Sequence, residues 1–325
     1  MDRMKAQLNL MKNEHLSDSR LIDEFIADCK LRNFSEESIR SYKSILRIIH
    51  AFLKRNGFSF LSMDKFVLKR LLEHLAFERG YSIKTLENYF SALSSFYDFL
   101  VYEGVVDRNL VLPFRKRYIR QYKVGQHVDD PPRKLISVEQ MRMLIDSILD
   151  PRDKAIVTLL AKTGIRRKEL INIDLEDINW EEQSIQLKPH PKRSNLRVFF
   201  DDECARILLR WLNARQNYPV SPDCNALFVN ERGERLKRHG VYGVVTKYAE
   251  KVGLHNSKSK RMEDHFTPHC CRHWFTTWLL RNGMSREYVK ELRGDKRGET
   301  IDIYYHIDKK ELRRAYLACI PKLGI

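Results

Sequence analysis

Apolar residues recur every three or four positions from about Asp18 to Leu112, the period of a helix with one buried face. Leu21, Ile22, Phe25 and Ile26 make the first stripe. After Asn33-Phe34-Ser35 comes a second, Ile39, Tyr42, Ile45, Leu46, Ile49, Phe52 and Leu53, stopped by Asn56-Gly57. A third runs Phe66, Leu68, Leu71, Leu72, Leu75 and ends at Gly80. The fourth is Leu86, Tyr89, Phe90, Leu93, Phe96, Tyr97, Leu100, ending at Gly104. Four amphipathic helices with short connections predict an α-helical domain over residues 17–112, behind a tail of residues 1–16.

From 113 to 134 no apolar stripe continues. The stretch holds RKRYIRQYK, Gly125 and Asp129-Asp130-Pro131-Pro132, which predicts a basic interdomain linker. Tyr118 and Tyr122 among its arginines suit a strand lying along a phosphate backbone. A second domain then spans 135–325. Ser137 is placed to cap a helix carrying Met141, Leu144, Ile145 and Ile148; Pro151 opens another that Thr163-Gly164 closes. A short helix follows over 166–171, then strands over 184–187 and 196–200 joined by the proline-broken basic loop KPHPKRSN. Beyond Asp202 the pattern is again mostly helical. The expected fold is mainly α with a small antiparallel β-sheet, a helical domain followed by a mixed α+β one.

Charge narrows the partners. Lys and Arg number 59 against 43 Asp and Glu, a net charge of +16 in 325 residues, which favours a polyanion, most often nucleic acid. No apolar run approaches the roughly 18 to 20 residues of a membrane helix, and the N-terminus has no apolar core of a signal peptide. The six cysteines form no CxxC pair, so neither a disulfide framework nor a cysteine zinc site is expected. A reduced, cytoplasmic protein is the expectation.

Thr267-Pro268 marks a helix start, and His269 and Arg272 sit three apart in its opening turn. Imidazole, guanidinium and the positive helix end converge there, as a phosphate seat requires. His265, His269 and His273 share the spacing of helix-borne metal ligands, but Pro268 starts the helix after His265, so no metal site is expected. In Thr163-Gly164-Ile165-Arg166-Arg167-Lys168-Glu169-Leu170, a glycine turn feeds a helix beginning at Arg166, and Glu169 is spaced to hold the Arg166 fork. Tyr304 and Tyr305 lie near the carboxyl end, after Arg293-Gly294-Asp295-Lys296-Arg297-Gly298.

An arginine in TGxRxxEL, a basic hairpin loop, HxxRH on a proline-started helix and a tyrosine 32 residues beyond Arg272, in this order, resemble the tyrosine recombinase (phage integrase) family over nearly the whole chain. The resemblance implies a core-binding domain followed by a catalytic domain, and site-specific DNA cutting and rejoining through a 3′-phosphotyrosyl link. Arg166 matches the family's first catalytic arginine, Glu169 the acidic residue that buttresses it, and His269 and Arg272 the HxxR pair. Tyr304, in Ile303-Tyr304-Tyr305-His306-Ile307, matches the nucleophile. The family's hairpin lysine falls on Lys188 or Lys192, with Lys192 taken here. No cofactor or metal is implied; double-stranded DNA and a homotetramer on two DNA sites are. Sixteen residues ahead of the first helix are too few for an added arm-binding domain, which points to simple sites.

One residue departs from the pattern. Where the family has the histidine (sometimes tryptophan) of LLGH, this chain has Asp295 in Leu292-Arg293-Gly294-Asp295. An ionised carboxylate donates no hydrogen bond and repels a phosphate by about 1–4 kcal/mol at close range. Asp295 either braces an arginine or leaves the donating to Lys296. The alternative function is therefore a catalytically weakened, sequence-specific DNA-binding protein of the same fold.

Overall fold

The computed structural model describes residues 17–120, 134–189, 193–259, 261–295 and 307–325. Described residues up to 120 form one compact unit, and those from 134 a second.

In the first unit, α1 (Asp18–Leu31), α2 (Glu36–Arg55), α3 (Lys65–Glu73) and α4 (Ile83–Tyr102) carry the four predicted stripes. Ser17, Ser35, Asp64 and Ser82 each accept a backbone N–H from the following turn. These oxygens satisfy donors that every helix start leaves open. The apolar faces close on one core, where Phe96 meets Phe25 and Phe60 edge-on at 5.4 and 4.8 Å between ring centres. Within that core the Tyr97 hydroxyl donates to the Phe60 carbonyl, so its polar end is paired.

The start of the basic stretch is helical, where the sequence pattern predicts no element. Val111–Phe114 forms α5, and Arg115–Ile119 continues it as a π-helical turn. Phe114 and Ile119 are buried in the first unit's core, and the Tyr118 ring lies 4.6 Å from that of Phe114. Tyr118 is thus packed in a helical turn rather than extended; Tyr122 lies outside the described residues.

The second unit opens with α6 (Val138–Asp146), capped by Ser137 with Gln140 bonding back to the Ser137 N–H. Then come α7 (Pro151–Thr163) and α8 (Arg167–Ile171). Strands β1 (Ile178–Asn179), β2 (Ser184–Gln186) and β3 (Arg197–Phe199) form an antiparallel sheet in sequence order, with Ile185 facing Ile178 on one side and Val198 on the other. The two predicted strands are β2 and β3; two-residue β1 is additional. Helices α9 (Asp202–Arg215), α10 (Arg238–Lys251), α11 (Pro268–Arg281), α12 (Arg286–Arg293) and α13 (Lys309–Cys319) complete the unit.

Helix α7 is central, buried from Ala155 to Thr163 and packed on α9 and α11. Its Lys162 is fully buried, and the ammonium donates to Asp201 at 2.7 Å, Glu203 at 2.5 Å and the Pro321 carbonyl at 2.8 Å. Leu323 and Gly324 in turn donate their N–H groups to Glu203, fastening the last residues to α9. The apolar side of α13, Leu312, Tyr316 and Cys319, packs within its own unit on Phe199, Phe275 and Leu279. Among the described residues, no helix is long and apolar enough to cross a membrane.

Candidate active site

The turn that ends α7, the first turns of α8 and α11, and the end of α12 come together at one place. Gly164 makes the approach possible. Its φ is +61°, and a Cβ there would lie 2.3 Å from the Phe275 ring of α11. With no side chain in the way, the Gly164 carbonyl accepts a 2.8 Å bond from Arg272 Nη1. Gly164→Ala combines left-handed strain with overpacking and is expected to cost about 2–4 kcal/mol, read by chemical denaturation.

Arg166 is not the first helical residue, as the sequence suggested, but the extended residue just before α8 (φ −80°, ψ 153°). Glu169 explains this. Its carboxylate accepts the Arg166 backbone N–H at 2.7 Å and the guanidinium at 2.9 Å, so both the chain and the side chain of Arg166 are fixed by one anion. Burial would raise the Glu169 carboxyl, yet the Arg193 guanidinium and the bonds from Arg166 hold it below the usual range.

Arg272 is 4% exposed. Besides Gly164, it donates from Nη2 to the Arg293 carbonyl at 2.9 Å and to Asp295 at 3.2 Å. Burial, then the nearby charges of Arg166 and Arg293, lower its pKa to about 10, so it stays a cation at neutral pH. His269, one turn earlier, is exposed and has no hydrogen-bond partner among the described residues. Both histidine and arginine line a pocket of about 250 Å³ with Arg166, Arg167, Lys168 and Arg238. The helix starts at Pro268, where the sequence places it; the Thr267 N–H bonds the Cys270 sulfur at 3.3 Å, and the Thr267 hydroxyl sits 3.7 Å from that sulfur. His265 turns away and bonds the Ser259 carbonyl.

Of the two lysine candidates, Lys188 alone lies among the described residues. Lys188 is bound to Asp174 at 3.0 Å and Asp177 at 2.8 Å, bonds that raise its pKa and keep its protons. Lys192 lies outside the described residues, as do Lys296, Tyr304 and Tyr305. Its neighbour Arg193, missed from the sequence, has a fully buried side chain. Arg193 bonds Glu169 at 3.0 Å and the carbonyls of Leu292 at 2.8 Å and Arg293 at 3.2 Å, and its Nε donates to the Asn195 carbonyl. A Cβ on Gly294 (φ +63°) would strike it. Arg193 thus ties the loop after Lys192 both to the anion that holds Arg166 and to the end of α12. Only its place beside a candidate lysine hinted at this; a basic loop residue ordinarily reads as solvated.

Asp295 faces the arginines. One oxygen lies 3.2 Å from Arg272 and 3.7 Å from Arg166, the other 3.0 Å from Arg293.

Comparison with known proteins gives this arrangement its kin. The chain is 28% identical over 308 residues to tyrosine recombinase XerC of Oceanobacillus iheyensis, covering 93% of this chain and 96% of that one. It is 25% identical to tyrosine recombinase XerD of Staphylococcus epidermidis, covering 93% and 99%. Its fold resembles that of the Tn1549 transposon integrase in complex with transposon right end DNA (TM-score 0.69, 18% identity, 92% and 98% covered). It also resembles the XerH site-specific recombinase bound to its difH substrate (TM-score 0.64, 22% identity, 93% and 85% covered). Relatives named as recombinases favour the enzyme over the silent DNA-binding alternative. The N-terminal SAM-like domain of phage integrases matches residues 21–105, and the phage integrase family itself matches residues 134–311, more than half of the chain. The chain belongs to the phage integrase family, the tyrosine-type site-specific recombinases.

Proposed function

We propose that this chain cuts and rejoins double-stranded DNA at specific sites through a phosphotyrosyl link at Tyr304. The observation that carries the reading is the convergence of Arg166, His269 and Arg272 on one cationic pocket, with both arginines held by the protein's own anion and carbonyls. Fixed cations of this kind stabilise charge developing on a phosphate without reorganising. They also favour the phenolate of a tyrosine, whose ordinary pKa is about 10. The Tyr304 oxygen attacks the scissile phosphorus and its proton passes to His269. The bond to the 5′ oxygen breaks, and Lys192 protonates that oxygen. The ester keeps the energy of the broken bond, so another 5′-hydroxyl reverses the step and joins new partners. No metal or nucleotide enters.

Two duplexes have four strands, and each Tyr304 holds one, so a complete exchange takes four copies on two sites. The domain plan that goes with this reading is a DNA-holding unit (17–112), a basic connection (113–134) and a catalytic unit (135–325). The test is a duplex nicked beside the cleavage point, so that a short fragment is lost and the ester is trapped. A slow-migrating protein–DNA band on a denaturing gel, formed equally in EDTA, is the expected result. Absence of that band with every cognate duplex, or its dependence on a divalent cation, would overturn the reading.

The lysine assignment has its own outcome. Lys192→Ala is expected to slow cleavage about 10²- to 10³-fold, and a bridging 5′-sulfur leaving group, which needs no proton, restores the rate. Lys188→Ala, which removes one partner from each of Asp174 and Asp177 while Asp174 keeps Arg235, is expected to stay within a few-fold of the parent.

Arg166→Gln is expected to lower single-turnover cleavage about 10²- to 10³-fold while duplex affinity, carried by many phosphate contacts, changes little. A gel-shift titration alongside the cleavage time course separates the two.

A further inference from the structure

We propose that Asp295 is the pocket's own anion: its carboxylate occupies, between Arg166 and Arg272, the seat that the scissile phosphate takes, and DNA engages by displacing it. The inference rests on the phosphate-binding role given above to the two arginines.

A carboxylate and a phosphate present the same thing to a guanidinium, paired oxygens at ion-pair distance. The Asp295 oxygens lie 3.2 Å from Arg272, 3.7 Å from Arg166 and 3.0 Å from Arg293. Its side chain is 32% exposed, so the seat is open to solvent and to a ligand.

A brace is the other role such a residue could have, and here a brace is redundant. Arg272 is already held by the carbonyls of Gly164 and Arg293. Arg166 is held by Glu169, which Arg193 holds in turn. Both forks keep their direction if the Asp295 carboxylate leaves. What they lose is a counter-charge: without it, three guanidiniums face one another. A phosphate replaces that charge, whereas a phosphate added beside the carboxylate would meet a like charge at close range.

The displacement needs only a side-chain rotation. The Asp295 backbone is pinned at both ends, its N–H to the Lys290 carbonyl at 3.1 Å and its own carbonyl accepting the Ser194 hydroxyl at 2.8 Å. Turning the carboxylate outward about its staggered torsions leaves the end of α12 and the hairpin base in place.

The test titrates inorganic phosphate into the full chain, without DNA and at constant ionic strength, by calorimetry. Asp295→Asn is expected to bind phosphate about tenfold or more tighter than the parent, which corresponds to about 1.4 kcal/mol. Asp295→Ser gives the same reading if the asparagine variant folds poorly. Adding Arg166→Gln to either variant is expected to abolish the gain. Affinity that is unchanged or weaker in both variants makes Asp295 a brace and overturns the proposal; so does a gain that survives Arg166→Gln, which places the phosphate elsewhere. The titration involves no strand cleavage. It therefore stands whether or not Tyr304 forms an ester, and a missing ester would sink the reaction without touching this result.

Discussion

Tyr304→Phe is expected to abolish the protein–DNA ester, a fall of at least about 10⁴-fold in single-turnover cleavage, while Tyr305→Phe is expected to stay within a few-fold of the parent. The phenyl ring keeps the shape of the side chain and removes the oxygen proposed to bond phosphorus. The cations that remain still bind the phosphate, but without a nucleophile no transition-state charge develops for them to stabilise. Duplex affinity is expected to persist in both variants, because phosphate contacts spread over a basic chain supply most of it. Quench-flow with a nicked duplex gives the rates, and a gel shift at matched salt gives the affinity. A Tyr304→Phe protein that forms ester at the parental rate contradicts the assignment.

Lys162→Met is expected to lower stability by about 3–5 kcal/mol. The ammonium is buried between Asp201 and Glu203, and both carboxylates also serve the backbone: Asp201 caps α9 through the Cys204 N–H, and Glu203 accepts from Leu323 and Gly324. Removing the cation leaves two buried carboxylates facing each other, and the Pro321 carbonyl loses the bond donated by the ammonium. Urea unfolding measures the loss, and limited proteolysis of the last residues reports the released tail. A companion prediction follows from pH. Burial opposes the ionised form of Glu203, but Lys162 and the backbone donors hold its carboxyl below the usual value. Stability from that group is complete above the unfolded pKa of about 4.3 and disappears as pH falls through the lower folded value. The parent is therefore expected to lose stability below about pH 4, and Glu203→Gln to show less of this acid slope. A Lys162→Met protein within 1 kcal/mol of the parent would show that the cluster is not a closed ion group.

What could be read from the sequence depended on how locally each feature is encoded. The first four helices were legible because each stripe keeps the 3.6-residue period over several turns, is preceded by a serine or aspartate cap and is followed by a glycine or, for the first, by Asn33. Arg115–Ile119 was illegible because its buried residue, Ile119, lies five positions from Phe114, a spacing outside the three-to-four recurrence of an α stripe. Strand β1 is two residues long and acquires its identity only from pairing with β2. Glu169 and Arg166 were legible as a pair because three residues separate them on one turn. Arg193, Lys162 and Glu203 were not, since a charge is read as surface unless its partner is known, and their partners lie 24 to 121 residues away. One signal was present: Lys162 is the charged residue between the mostly apolar run from Ala155 to Ala161 and Thr163-Gly164, in a stretch of helix buried on every side.

The chemistry is tested most directly by digesting the trapped protein–DNA complex with trypsin and sequencing the nucleotide-bearing peptide by mass spectrometry. The expected product carries the 3′-phosphate of the cut strand on the phenolic oxygen of Tyr304. A nucleotide on Tyr305, on another residue, or on no peptide at all would contradict the mechanism.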